Sequence, residues 1–143
     1  MNSYSASSVV CTLDWGQISN TSSLEYNIEK DKLKSNLHKL TEFSSYKDNW
    51  DGYTGKRISQ EVIKTAKAIV RRPNIQPQIY PISAGGVQIE YYKDDSNNIE
   101  IELLDGLQYD ILLTKAGKEI EYSVDTKEEC IEILNDFYED INR

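Results

Sequence analysis

Residues 85–124 read GGVQIEYYKDDSNNIEIELLDGLQYDILLTKAGKEIEYSV, and their periodicity decides the fold. Val87, Ile89 and Tyr91 alternate with Gln88, Glu90 and Tyr92. Ile99, Ile101 and Leu103 alternate with Glu100, Glu102 and Leu104. Leu107, Tyr109, Ile111 and Leu113 alternate with Gln108, Asp110 and Leu112. Ile120, Tyr122 and Val124 alternate with Glu119, Glu121 and Ser123. Successive side chains of an extended chain point to opposite faces, so each run has an apolar and a polar face. The breaks at Ala84-Gly85-Gly86, Asp94 to Asn98, Asp105-Gly106 and Lys115 to Lys118 carry hairpin chemistry. The runs therefore predict an antiparallel meander. Ile79 and its neighbours predict one more strand, at an edge because Pro81 interrupts it. Antiparallel partners share a face, which predicts Leu103 opposite Leu107 and Ile101 opposite Tyr109. That register leaves a three-residue loop, Leu104-Asp105-Gly106, with Gly106 in the left-handed region of a bulged hairpin.

Upstream of the strands the period is helical. Ser22 followed by Glu25 is a capping box, and Tyr26, Leu33, Leu37, Leu40 and Phe43 form one stripe. The spacing predicts a helix from near Ser22 to between Ser44 and Tyr46. A second helix takes Ser59 as its N-cap, with Ile58 and Ile63 placed for a hydrophobic staple. Val62, Ile63, Ala66, Ile69 and Val70 form its apolar face. Arg71 and Arg72 suit its C-terminal end, where the macrodipole favours cations, and Pro73 stops it. After the strands, Asp125 with Glu128, or Thr126 with Glu129, caps a third helix. Its apolar face is Cys130, Leu134, Phe137 and Ile141, with Ile131 and Tyr138 beside it. The predicted fold is α+β: two N-terminal helices, an antiparallel four- to five-stranded meander and a C-terminal helix, with the helices on one sheet face. Residues 1–23 are expected as a loosely held segment, in which Val9 to Leu13 have short β character and are placed to add one edge strand, and Trp15 pins the segment to the body. Residues 24–143 are expected as a single domain.

Composition narrows the function classes. The chain has 143 residues, is 38% hydrophobic and 28% charged, and has a formal net charge of −8. Those values exclude collagenous, membrane-spanning and disulfide-scaffold proteins. A chain of this length buries roughly 70% of its unfolded surface, enough for one core without staples. Cys11 and Cys130 stand near opposite ends, outside any CxxC or Cys/His metal spacing, and read as small buried hydrophobes. The opening MNSYSASSVVCTLDWG has neither a basic n-region nor a long apolar h-region. No segment approaches the ~20 apolar residues of a spanning helix. A cytoplasmic protein without membrane contact is expected.

The charge is bipolar. Residues 1–89 hold 11 Lys and Arg against 8 Asp and Glu, whereas residues 90–143 hold 5 against 16. The acidic half suits a basic partner and disfavours direct binding to a nucleic-acid backbone.

Four constellations bear on function. Glu90, Glu100, Glu102, Asp110, Glu119 and Glu121 alternate away from the apolar positions, so they should share the sheet face opposite the helices. Tyr92 joins that face, and exposed tyrosines among carboxylates suit protein recognition. The contact set expected for a partner is Glu90, Tyr92, Glu100, Glu102, Asp110 and Glu121. The same face as a solvated sheet surface, or as a divalent-metal site, is the competing reading; the spacing puts Glu90 and Lys93 on opposite faces, which does not suit a metal nuclease. Lys64, Lys67 and Arg71 lie at i, i+3 and i+7 and form a basic stripe, a phosphate contact or a solvated face. Trp50, Asp51, Gly52 and Tyr53 form a turn in which Gly52 supplies positive φ, expected as a lock between the first two helices. Two large aromatics in a short loop imply packing against something. The chain has one histidine, His38, expected at the surface, which leaves little room for a Ser/His/Asp or Cys/His arrangement. Gly85-Gly86 is hairpin chemistry and not a phosphate loop, since no Lys-Ser/Thr and no helix follows it. No cofactor and no metal is expected.

The residues Asn49-Trp50-Asp51-Gly52-Tyr53, Pro77-Gln78-Ile79-Tyr80-Pro81 and Gly85-Gly86-Val87-Gln88-Ile89-Glu90-Tyr91 occur in that order. This pattern resembles a widespread group of small, mostly uncharacterised bacterial proteins. They share an NWDGY turn, a proline-flanked segment and a GG-hydrophobic-Gln-hydrophobic-Glu-aromatic strand. The resemblance covers the middle third of the chain. It implies a partner protein of mobile or defence loci and brings no catalytic residues. The chain departs from the pattern at Thr54-Gly55, at Tyr91-Tyr92 where the strand often has Glu-Trp, and in residues 1–23.

These readings converge on a non-enzymatic, acidic protein-binding module of antitoxin, immunity or inhibitor type. Its expected partner is a basic protein, such as a nuclease or another effector that acts on nucleic acid. The alternatives are a carboxylate-based metal-dependent enzyme acting on nucleic acid and a nucleic-acid mimic from a mobile element.

Overall fold

The computed structural model describes residues 16–72, 75–106 and 108–141. The readings made for Val9 to Leu13, Trp15, Cys11, Pro73 and Leu107 lie outside the described residues. The chain divides at Lys34 and Ser35 into two units. The elements run α1 (Gly16–Phe43), α2 (Gln60–Val70), β1 (Gln78–Ile82), β2 (Gly86–Asp94), β3 (Asn97–Leu104), β4 (Tyr109–Lys115), β5 (Lys118–Val124) and α3 (Lys127–Ile141). This is the α+β order expected, and the five strands form one antiparallel sheet in the order β1-β2-β3-β4-β5.

In the first unit the described residues are helical. α1 runs Gly16–Phe43 and does not start near Ser22, so Ser22 and Glu25 fall inside the helix. No proline or further glycine between Gln17 and Glu25 interrupts the helix, so it extends upstream of that box. Leu24, Tyr26 and Ile28 are exposed, and Lys32 pairs with Glu29 at 3.2 Å.

The second unit holds the core. Of the expected stripe on α1, Leu40 and Phe43 are buried, Leu33 and Leu37 are half-buried and Tyr26 is exposed. The buried Asn36 amide is satisfied: its Nδ2 donates to Gln76 Oε1 at 3.1 Å and to the Pro77 carbonyl at 3.0 Å. Gln76 Nε2 in turn donates to the Val70 carbonyl, one of the orphan acceptors at the end of α2. Ser59 Oγ accepts from the Val62 N–H, and Ile58 and Ile63 are both buried, which is the expected cap and staple. At α3 the cap is Thr126 with Glu129: Thr126 Oγ1 accepts from the Glu129 N–H and donates to its carboxylate, each at 3.1 Å.

One sheet face is core. Ile79, Val87, Ile89, Tyr91, Ile99, Ile101, Leu103, Ile111 and Leu113 are all buried on it. α2 lies against β2 and β3, and α3 against β3, β4 and β5. Tyr91 meets Tyr138 of α3 edge to face at 5.3 Å. The Tyr91 hydroxyl is buried beside Tyr138 and makes no hydrogen bond of full geometry with any described residue. A buried unsatisfied hydroxyl is destabilising, so Tyr91→Phe is expected to raise stability by about 1 kcal/mol. A urea midpoint unchanged or lowered by Tyr91→Phe would show that the hydroxyl is bonded.

Two expectations about the strands are corrected. The β3–β4 register pairs Ile101 with Ile111 and Glu102 with Asp110, so Ile101 does not face Tyr109 and the loop runs from Asp105 to Gln108. The slip is two residues, which preserves every side chain's face, so face-matching could not detect it. Gly106 does take positive φ, at 67°. Ile120 and Tyr122 pair with Leu113 and Ile111 on the core face, yet they are 41% and 36% exposed. Among the described residues β5 is an outermost strand of the sheet, as β1 is at the other edge.

The β4–β5 turn is Ala116-Gly117, both at positive φ (51° and 79°), with the Gly117 N–H donating to the Ser96 carbonyl at 3.0 Å. A two-residue hairpin turn wants Asn-Gly here, and a Cβ in the left-handed region is strained. Ala116→Asn is therefore expected to stabilise the chain by about 0.5–1 kcal/mol. A thermal midpoint that does not rise would contradict this turn geometry.

Candidate functional site

The face opposite the core carries the carboxylates, and the register fixes their neighbours. One cross-strand row reads Gln78, Glu90, Glu100, Leu112, Glu121. The next reads Tyr80, Gln88, Glu102, Asp110, Ser123, and a third reads Tyr92, Asn98, Thr114, Glu119. Glu90 faces Glu100 directly and Glu102 faces Asp110, with no Lys or Arg in any of the three rows. Directly opposed side chains have Cβ atoms about 5 Å apart, so like charges there repel. The structure thus brings Glu90, Glu100, Glu102, Asp110 and Glu121 together on one face, with Tyr92 at its margin.

Glu90, Glu100 and Glu102 are half-buried, while Asp110, Glu119 and Glu121 are exposed. Gln88 Nε2 donates to Glu90 Oε2, and Ser123 Oγ donates to Asp110 Oδ1 at 2.9 Å. A shallow concavity of about 430 Å³ opens over this patch, lined by Gln88, Glu100, Glu102, Asp110, Leu112 and Glu121 among others. Partial burial, then the charges of Glu90 and Glu119, raise the Glu100 carboxyl above its ordinary 4.5. Tyr92 is 59% exposed and donates its hydroxyl to Asp95.

The raised Glu100 has a signed consequence. A carboxyl with a raised folded-state pKa contributes stability only below its unfolded pKa, and loses it as pH rises through the folded value. Ionised Glu100 is therefore a burden at neutral pH. Glu100→Gln is expected to stabilise the chain at pH 7 by roughly 0.2–1 kcal/mol, and to gain nothing well below pH 4.5. Equal gains at both pH values in urea melts would exclude the ionised carboxylate, through its partial burial and its acidic neighbours, as the cause.

Tyr80 and Leu112 belong to the face and were not singled out by the sequence. Tyr80 sits opposite Gln88 and is 44% exposed. The signal was its alternation with Ile79 and Pro81, obscured by the proline. Half-buried Leu112 stands between Glu100 and Glu121 and gives the acidic face an apolar centre.

The other two constellations lie elsewhere. In the basic stripe, Lys64 and Arg71 are exposed, and Lys67 Nζ donates to Thr41 Oγ1 at 2.8 Å. Lys67 is thus committed to α1, which reduces the stripe as a phosphate contact.

In the Asn49–Tyr53 turn, Asp51 organises the chain. Its Oδ1 accepts from the N–H of Tyr53 at 2.9 Å and of Gly55 at 2.8 Å, and its Oδ2 accepts from Ser83 Oγ at 2.6 Å. The Ser83 hydrogen bond, then those two N–H groups, hold the Asp51 carboxyl below its ordinary 3.8. Trp50 Nε1 donates to the Lys56 carbonyl at 2.8 Å, and its ring stacks near Tyr46 at 5.1 Å. These bonds tie the turn to the β1–β2 connection, where Ser83 sits. Tyr53 departs from expectation: it is 81% exposed. Asp51, not a second aromatic, organises the loop.

Cys130 is buried, and desolvation pushes its thiol up to about 12, which leaves it protonated. Among the described residues no group of three or more His, Cys, Asp and Glu side chains converges to hold a metal ion. Among them, too, no helix is long and apolar enough to cross a membrane. No family model, curated protein or solved structure matches the chain.

Proposed function

We propose that the chain is a non-enzymatic acidic binding module of antitoxin, immunity or inhibitor type. It neutralises a basic protein that acts on nucleic acid. The observation that carries this reading is the pairing of Glu90 with Glu100 and Glu102 with Asp110 across adjacent strands without an intervening cation. Such pairs cost stability in the free chain, and at Glu100 partial burial, then the charge of Glu90, raises the carboxyl. A basic surface laid over the face offsets that repulsion. Proteins that act on nucleic acid carry such surfaces, because they must neutralise phosphates.

Leu112 at the centre and Tyr80 and Tyr92 at the margins supply contact area that water can be excluded from, and the carboxylates around them supply the field. Long-range attraction sets the on-rate, and the buried aromatic and aliphatic contacts set the off-rate. A special case is a mimic of the partner's nucleic acid, recognised by competition between the two. The metal-enzyme reading draws no support from the described residues, whose acids stand in rows and do not converge.

Stopped-flow association with the captured partner tests the proposal. The on-rate should fall steeply from low to high salt. An on-rate flat across salt would remove charge steering from the mechanism.

A further inference from the structure

The two edges of the sheet differ. β1 is five residues long and carries Pro81, which has no N–H to give a further strand. β5 runs seven residues without proline or glycine, and its register with β4 is unbroken from Val124 to Lys118. Natural edges are closed by proline, by a bulge, by charged side chains or by a covering segment; β5 carries Lys118, Glu119 and Glu121 but neither proline nor a bulge. Between its ends, β5 points Ile120 and Tyr122 inward, and both are substantially exposed. Behind them a groove of about 170 Å³ opens against α3, lined by Ile120, Tyr122, Ile133 and Phe137 together with Asp136 and the Lys115–Asp140 ion pair. On the opposite face β5 presents exposed Glu119 and Glu121, the last members of the carboxylate rows.

We infer that the β5 edge accepts an added strand from the basic partner, an extended segment in which Lys or Arg alternates with apolar residues. The strand period of two makes this pattern fit. Every second side chain of the incoming segment lies beside Glu119 and Glu121, and the others lie beside Ile120 and Tyr122 over the groove. Main-chain hydrogen bonds supply affinity, and the alternating side chains supply selectivity. A second copy of this chain is the poorer occupant: β5 against β5 brings Glu119 and Glu121 of the two copies together, a like-charge pairing. The inference rests on the reading of the chain as an acidic binding module and specifies how the partner docks.

The test uses the full chain and a labelled peptide of alternating Lys and Val. Its comparators are a peptide of the same composition with Lys and Val in separate blocks, and alternating peptides N-methylated at every second residue, in each of the two phases. The alternating peptide should bind at least about tenfold tighter than the block peptide, and one N-methylation phase should weaken it by about as much while the other does not. Hydrogen exchange should slow in β5 and not in β1. Ile120→Lys, at a position already exposed, should weaken binding at least about tenfold with the circular dichroism unchanged.

Equal binding by both N-methylated peptides, or protection confined to β2 and β3, would overturn strand addition while leaving the acidic face as the binding surface. Absence of salt-sensitive binding by every basic peptide would overturn both readings. A dimer in sedimentation that Ile120→Lys dissociates would assign the edge to a second copy and overturn the inference.

Discussion

Gly86→Ala is expected to destabilise the chain by about 4 kcal/mol or more, in the range where a single substitution unfolds a domain of ordinary stability. A Cβ at residue 86 would lie 2.1 Å from the Leu103 carbonyl oxygen and 2.5 Å from Leu104 Cδ2. The nearer atom is backbone of the neighbouring strand. Gly86 pairs with Leu104 on one side and with Ile82 on the other, so it is held in two ladders at once. Relief requires β2 and β3 to separate where β2 begins and β3 ends, which breaks the pairing at that end of the ladder and with it the β1 pairing at Ile82. Gly52→Ala is the control. Gly52 has positive φ, but a Cβ there meets nothing within 4 Å, so the expected loss is the left-handed strain of about 1 kcal/mol. Urea midpoints and far-ultraviolet circular dichroism separate the two. A native-like midpoint for Gly86→Ala would show that β2 and β3 do not approach as closely as described.

Reversing the paired acids is expected to have the largest functional effect. Glu100→Lys combined with Glu102→Lys replaces two half-buried carboxylates facing Glu90 and Asp110. Within the chain the change turns like-charge neighbours into opposite ones, so the fold is not harmed and stability holds or rises. Toward a basic partner the change reverses the field at the middle of the face. The association rate should fall by about 100-fold at low salt, and the gap should narrow as salt screens the field. A double variant that associates at the wild-type rate would place the contact surface elsewhere. The opposite signs expected for stability and association guard against mistaking misfolding for lost recognition.

Particular residues show how far the sequence carried. Alternation located the strands because one sheet face is buried and the other is not, and the caps at Ser59 and Thr126 stand where local hydrogen bonding predicts them. Face assignment is a local property, so Glu90, Glu100, Glu102, Asp110 and Glu121 were legible as co-facial. Which of them touch was not. The direct Glu102–Asp110 pair depends on a β3–β4 register that a two-residue slip leaves invisible to face-matching. The start of α1 was missed because a capping box marks where a helix is able to begin, not where it must. The exposure of Ile120 and Tyr122 depends on what lies beyond β5, a tertiary property that no strand reports about itself. Tyr80 was hidden by its neighbour Pro81. Tyr53 was misjudged: the three hydrogen bonds that Asp51 accepts tie the loop together, and the Tyr53 ring is 81% exposed.

The most direct test of the acidic face as a recognition surface is capture from a lysate of the source cells. Wild-type chain and the Glu100→Lys/Glu102→Lys variant are used side by side, at low and at high salt, with mass-spectrometric identification. One stoichiometric basic protein should be held by the wild type at low salt, released at high salt and absent from the variant. Equal recovery on both chains, or no retained protein in either salt, would contradict a role for this face in binding a basic partner.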